Sequence, residues 1–313
     1  MVQSKPSQIW SKRFVFCVAC LFFIALFFIQ WQNASGQADE TSRSWNQPVK
    51  PFRIIGNIYY VGASDVTSFL ITTPEGHILL DSGFAETVPQ IKQNIAALGF
   101  RLEDVKILIN SHAHYDHAGG LAELKELTQA KFLASEADAS LLANGGKDDP
   151  NFGDRFAYAS VKVDQTLSHG EAVKLGDAIL TAHLTPGHTK GCTTWTMRVS
   201  DNGKNYNVVF VGSTSAPGYK LIDNIKYPNI VADYKQTFGR MKNLSPDVFL
   251  ASHGSFFGLQ KKMELLAQHP KQNPFVDPKS FKDFLKRTEK QFRAQLREQQ
   301  KKNQKQRRVE QAN

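Results

Sequence analysis

The chain has 313 residues, 41% hydrophobic and 21% charged, a balance that excludes a disordered, fibrous or collagen-like protein. A single long apolar run excludes a polytopic membrane protein. The net charge of +9 sits in the two ends: residues 1–13 carry +3 and residues 282–313 carry +7, which leaves 14–281 at −1 and argues against a nucleic-acid surface spread over the body.

Lys12 and Arg13 precede Phe14–Ile29, a run without a charge, and the polar stretch that follows ends in Ala34-Ser35-Gly36. A positive start, an apolar run and small residues at the −3 and −1 positions predict an export signal over residues 1–36, cleaved after Gly36. The mature protein is then expected in the periplasm, without stable membrane insertion. The alternative is an uncleaved anchor with Trp31 at the interface, although the run is short for a span. Cys20 lies in mid-run, away from a lipoprotein cleavage point. With Cys17 and Cys20 in the signal, the mature chain keeps Cys192 alone and cannot close an internal disulfide. The strand-like setting of Cys192 makes it a buried structural thiol.

The body, residues 37–298, reads as alternating strands and helices. Ile54–Val61 and Thr67–Thr72 are strands rich in β-branched and aromatic residues, and His77–Leu80 runs into an Asp81-Ser82-Gly83 turn. Val88–Leu98 has apolar residues at helical spacing and stops at Gly99. Val105–Asn110 is a buried strand. Leu121–Gln129 is helical, Lys131–Ala134 a strand and Glu136–Ala143 a helix. Strands follow at Ala178–Leu184, Thr193–Val199 and Val208–Val211, then a helix over Pro228–Leu244 and a strand at Val248–Ser252. Phe281–Gln300 is a weak amphipathic helix, and the basic, Gln-rich residues 299–313 read as disordered. Two clusters of strands separated by helices suit two sheets packed face to face with helices outside.

The chemistry is concentrated in Asn110-Ser-His112-Ala-His114-Tyr-Asp116-His117, directly after a buried strand. Side chains two apart in extended chain point the same way, so His112 and His114 can reach one cation. After a turn, Asp116 and His117 can face a second point. Imidazole and carboxylate suit zinc, at roughly 2.0–2.2 Å. His188, in a Pro-Gly turn after a strand, and His253, after a short apolar run, complete the set along one sheet edge. His77, His169, His183 and His269 have no partner nearby in sequence and read as structural or surface residues.

His112-Ala-His114-Tyr-Asp116-His117 resembles the H-x-H-x-D-H motif of the metallo-β-lactamase superfamily, and Pro-Gly-His188-Thr and Ser-His253-Gly resemble its later ligand motifs. The resemblance covers about Phe52 to Phe281. It implies an αβ/βα four-layer sandwich, with two mixed β-sheets and helices on the outer faces, and two zinc ions at one edge. Many superfamily hydrolases carry a metal-bridging Asp after the strand that here is Val208–Val211. This chain instead has Ser213, in Ser213-Thr-Ser215-Ala-Pro-Gly-Tyr219, which resembles subclass B3 metallo-β-lactamases. Leu184–Met197 and Asn273–Pro278 look like the FEZ-type branch of that subclass. A disulfide usual in the subclass has no partners here, where the positions are Pro246 and Phe281.

What the resemblance implies is a β-lactamase that confers antibiotic resistance. His112, His114 and His188 would hold one zinc ion, and Asp116, His117 and His253 the other. A zinc-bound hydroxide would attack the β-lactam carbonyl of a penicillin, cephalosporin or carbapenem. Asp116 would orient the hydroxide, Tyr219 would donate to the oxyanion, and Ser213 and Ser215 would bind the antibiotic's carboxylate. A polar strand cap is the alternative for the serines, and plain packing for Tyr219. Asp81 is a candidate for fixing a histidine tautomer. The partner is a small antibiotic, with no nucleic acid in the core function, and the chain is expected to be a monomer. The competing readings are a secreted lactonase or thiolesterase on the same fold, against which Ser213 stands, and a wall-polymer or nucleic-acid binder with structural zinc.

Overall fold

The computed structural model describes residues 40–312. The expected export signal over residues 1–36 lies outside them. Residues 40–45 are helical, and the body begins at Asn46.

Seven strands form the first sheet, in chain order. β1 (Phe52–Ile55), β2 (Ile58–Tyr60), β3 (Phe69–Thr73) and β4 (Gly76–Leu80) pair antiparallel. β5 (Val105–Ile109), β6 (Lys131–Ser135) and β7 (Gln165–Leu167) continue in parallel from β4. The helices α1 (Val88–Ala97), α2 (Tyr115–Ala118), α3 (Leu121–Thr128) and α4 (Glu136–Ala143) lie in the connections. Where one strand was expected over Ile54–Val61, there are two. Gly56 adopts φ +54, a left-handed turn that a Cβ would strain, and folds the segment into a hairpin.

The second sheet has the order β12-β11-β10-β9-β8. β8 (Ala172–Leu175), β9 (Ala178–Leu184), β10 (Thr193–Asp201) and β11 (Lys204–Val211) are antiparallel, and β12 (Val248–Ala251) joins β11 in parallel. α5 (Ile230–Lys242) leads into β12. α6 (Gly254–Phe257), α7 (Leu259–Gln268) and α8 (Pro278–Ala312) follow it.

Alternation along the first sheet sorts its two faces. Phe69, Ile71, Ile78, Leu80, Ile109 and Leu133 join Trp195, Val209 and Phe210 of the second sheet in one core, where the Phe69 and Phe210 rings meet at 5.1 Å. Leu70, Leu79, Leu108 and Phe132 face the opposite way, onto Val88, Ile91, Leu121 and Leu124 of α1 and α3. The indole N–H of Trp195 donates to the carbonyl of Asn110 at 3.0 Å. That bond ties the second sheet to the loop carrying His112.

The expectation of disorder from residue 299 is not met, because α8 continues to Ala312. The basic composition concealed side-chain partners. Gln299 and Asn303 bond to the 219–223 loop, and Glu298 pairs with Lys302 one turn on, at 2.7 Å. At the position of the missing disulfide, Phe281 of α8 packs on Phe249 of β12, ring centroids 5.6 Å apart. Apolar burial stands there in place of a crosslink.

Candidate metal centre

β5 delivers its carboxyl end to the edge shared by both sheets, and Asn110-Ser111 carries the chain into His112. Two bonds hold this segment: Ser111 N–H donates to Asp81 Oδ1 at 2.6 Å, and Thr193 N–H donates to the Ser111 carbonyl at 2.7 Å. Asp81 sits at φ +62 just past β4, a left-handed conformation uncommon outside glycine. His114 is extended and precedes α2, whose single turn brings Asp116 and His117 within ligand reach of His112. Gly187, at φ +135, turns His188 inward; a Cβ there would meet the Tyr234 ring at 2.8 Å. His253 follows β12 directly.

All six expected donors come together. Ligand atoms of His112, His114 and His188 lie within 4.8 Å of one another, with His114 Nδ1 3.1 Å from His188 Nε2. In the second set, His117 Nε2 lies 3.2 Å from His253 Nε2 and 3.3 Å from Asp116 Oδ2. The third side of that triangle, His253 Nε2 to Asp116 Oδ2, is 3.5 Å. His112 also falls within ligand reach of Asp116 and His117, so the two sets adjoin.

These donors fit zinc. Burial, with His117 and His188 nearby, holds His112 well below the ordinary imidazole range. Burial and His114 do the same for His188. Neutral rings offer lone pairs, and His112 Nε2 is buried with no hydrogen-bond partner. Burial favours the neutral form of Asp116, but His117 and the bonds to His117 and His253 outweigh it and keep the carboxyl well below its usual value. Burial likewise pulls His253 down, but Asp116 and Asp65 prevail and push it to about 9. Five imidazoles and a carboxylate converging in a buried space are a cation site by chemistry.

Each ring's other nitrogen faces an oxygen, and in His112, His188 and His253 a hydrogen bond to it orients the ring. His112 Nδ1 faces Ser111 Oγ at 3.0 Å, and His188 Nδ1 faces the Ser215 carbonyl at 2.8 Å. His253 Nδ1 meets Asp65 at 2.9 Å, His114 Nε2 meets Asp149 at 3.3 Å, and His117 Nδ1 lies 3.6 Å from Asp81. Asp81 was named from the sequence; Asp65 and Asp149 were not. Asp138 was missed too. From α4 its buried carboxylate accepts Ala113 N–H at 3.0 Å, Thr189 Oγ1–H at 2.8 Å and Gly191 N–H at 2.7 Å. It thereby joins the His112–His117 loop to the His188 loop.

The structure places Tyr219 beside His188. Its ring stacks on His188 at 5.6 Å, its hydroxyl lies 3.2 Å from His188 Nδ1, and it is 1% exposed. It therefore stands behind His188, opposite the Nε2 that faces His114, and it positions that ring. Ser213 is 2% exposed and meets Ser215 Oγ at 3.1 Å, so Ser215 is the half-buried, reachable member of the pair. Cys192 is buried as expected, and burial pushes its thiol up to about 12.

The sequence pattern of the metallo-beta-lactamase superfamily matches residues 61–253. Among solved structures, the native FEZ-1 metallo-beta-lactamase from Legionella gormanii is 45% identical, with a TM-score of 0.80, over 82% of this chain and 98% of that one. BJP-1, a subclass B3 metallo-beta-lactamase of Bradyrhizobium japonicum, is 38% identical, with a TM-score of 0.78, over 82% and 97%. A hydroxyacylglutathione hydrolase of a Bradyrhizobium species is 29% identical over 126 residues, which are 40% of this chain and 41% of that protein. The chain thus spans less than half the length of that curated relative.

Proposed function

Because the chain belongs to the metallo-β-lactamase superfamily, we propose that it is an exported, monomeric β-lactamase. It holds two zinc ions and opens the cyclic amide of penicillins, cephalosporins or carbapenems, conferring antibiotic resistance. The observation that carries the reading is the pair of adjoining three-donor sets at one sheet edge. Ser213, standing after β11 where many hydrolases of the fold carry a bridging acid, supports a β-lactam over a lactone or thiolester. The signal-like residues 1–36 support the periplasm as its location.

His112, His114 and His188 would hold one ion, and Asp116, His117 and His253 the other. Zinc bound there supplies Lewis acidity, toward a carbonyl oxygen and toward a water whose proton it makes easier to lose. Asp116, the one acid among the six donors, orients the attacking water by accepting its hydrogen bond. The water oxygen bonds to the β-lactam carbonyl carbon, the C–N bond breaks, and the nitrogen leaves with a proton. Ser215 binds the antibiotic's carboxylate, with Ser213 bracing it. Tyr219 and the Ser215 carbonyl hold His188 in register.

Hydrolysis of a carbapenem and a chromogenic cephalosporin, with added zinc and then with a chelator, tests the reading. Chelator-sensitive turnover, lost in His114→Ala and His253→Ala, is the expected result. A folded, zinc-loaded protein that leaves both antibiotics intact but cleaves a lactone or a thiolester overturns it.

A further inference from the structure

α8 is two-sided from Phe281 to Asn303. Phe281, Leu285, Thr288, Phe292, Leu296, Gln299 and Asn303, at steps of three and four, form the side packed on the body or bonded to the 219–223 loop. The opposite side carries Lys282, Lys286, Lys290, Arg293, Arg297, Lys301, Lys305 and Arg308, again at steps of three and four, and all are exposed. That spacing places them on one stripe of about 39 Å. Among the described residues, only Arg293 of these eight has a carboxylate within ion-pair reach, Glu289 at 2.7 Å. The acids nearest the stripe are engaged elsewhere: Asp283 by Lys279, and Glu298 by Lys302. The hydrolytic chemistry uses none of these cations.

We propose that this stripe docks the protein on an anionic lipid surface. At 3.6 residues per turn these cations form a band about 140° wide around the helix, and a broad, extended anionic surface meets more of it at once than a compact partner does. Duplex nucleic acid turns each phosphate row around its axis within about 34 Å, so a stripe of about 39 Å would follow one only over part of its length. The stripe has no aromatic side chain on which bases could stack. Its one apolar side chain is the methyl of Ala294, too small to insert, and no helix among the described residues is long and apolar enough to cross a membrane. The contact is therefore adsorption by charge, reversible and sensitive to salt.

Co-sedimentation of the full chain with vesicles of phosphatidylcholine, with and without phosphatidylglycerol, tests the proposal. The expected result is binding that requires phosphatidylglycerol and is released by about 1 M salt, where screening acts within about 3 Å. The variant Lys286→Gln, Lys290→Gln, Arg297→Gln, Lys301→Gln, Lys305→Gln should bind anionic vesicles more than about tenfold more weakly. Helix content by circular dichroism is the control for folding. If that variant does not fold, Lys301→Gln with Lys305→Gln, beyond the last apolar contact at Leu296, tests the same face. Equal binding by a folded variant and the parent places the affinity in the apolar Phe14–Ile29 run and overturns the proposal. Duplex DNA that displaces the vesicles at equal charge overturns it as well.

Discussion

Gln299 Nε2 donates to the carbonyl of Tyr219 at 2.7 Å, and Gln299 Oε1 accepts the N–H of Leu221 at 2.7 Å. One side chain of α8 thus pins both ends of the short segment behind His188. Gln295 adds a second bond to the Tyr219 carbonyl at 3.2 Å. Gln299→Ala frees this segment, and with it the loop that carries Ser215. Each lost bond of this kind is worth about 1 kcal/mol. KM for a β-lactam is expected to rise about fivefold, with kcat and zinc content nearly unchanged. Steady-state kinetics with metal analysis reads both, and an unchanged KM would show that the brace is idle.

Asp138 is expected to matter more than any residue outside the six donors. Replacing it by Ala orphans two buried N–H groups and the Thr189 hydroxyl, at about 1–3 kcal/mol each before relaxation. Asp138→Ala should therefore lower stability by about 3–5 kcal/mol and reduce zinc occupancy, because Ala113 and Thr189 adjoin three of the histidines. Asp138→Asn keeps the shape but turns an amide N–H toward a backbone N–H, and should fall between the two. Thermal unfolding and zinc per chain, measured together, decide the point; a normal melt at full occupancy contradicts it.

The six donors were legible because their spacing is local. Four fall between His112 and His117, and the other two each lie within four residues of the end of a strand-like run. The carboxylates that orient them were not, since contacts made only in the fold leave no period in the sequence: Asp65 reaches His253 across 188 positions. Tyr219 was read from its place in a motif, which gives proximity to the site but not the side of His188 on which the ring stacks. The same limit hid the end of α8. Gln299 and Asn303 look like solvated tail residues until the 219–223 loop supplies their partners.

Metal removal should cost stability as well as turnover. Without a cation, five imidazoles and Asp116 face one another in a buried space with few partners, and any ligand bound only by the folded state stabilises it by mass action. With zinc at about a thousand times its dissociation constant the gain is about 4 kcal/mol. For a domain of this size that corresponds to a fall of about 10 °C in melting temperature on chelation. Scanning calorimetry with and without chelator measures it. His114→Ala, already deprived of one donor, should show a smaller fall.

The docking of α8 on α5 should depend on pH. Glu289 accepts Lys242 Nζ at 2.6 Å and Arg293 at 2.7 Å, and the bond to Lys242 leads in holding its carboxyl below the usual 4.5. A carboxyl depressed in the folded state adds stability above its unfolded value, and that contribution is lost as pH falls through the folded value. The parent should thus melt about 2–4 °C above Glu289→Gln at pH 7, as suits a part-exposed pair worth up to about 1 kcal/mol. The gap should begin to narrow near pH 4.5 and close only below the folded value, where both chains carry a neutral group at this position. Protonation of His112 and His188, which burial holds in the neutral form, also lowers stability in acid, but it acts equally on both proteins and cancels in the difference. A gap that persists unchanged at low pH would mean that packing at this position, and not the ion pair, sets the contribution.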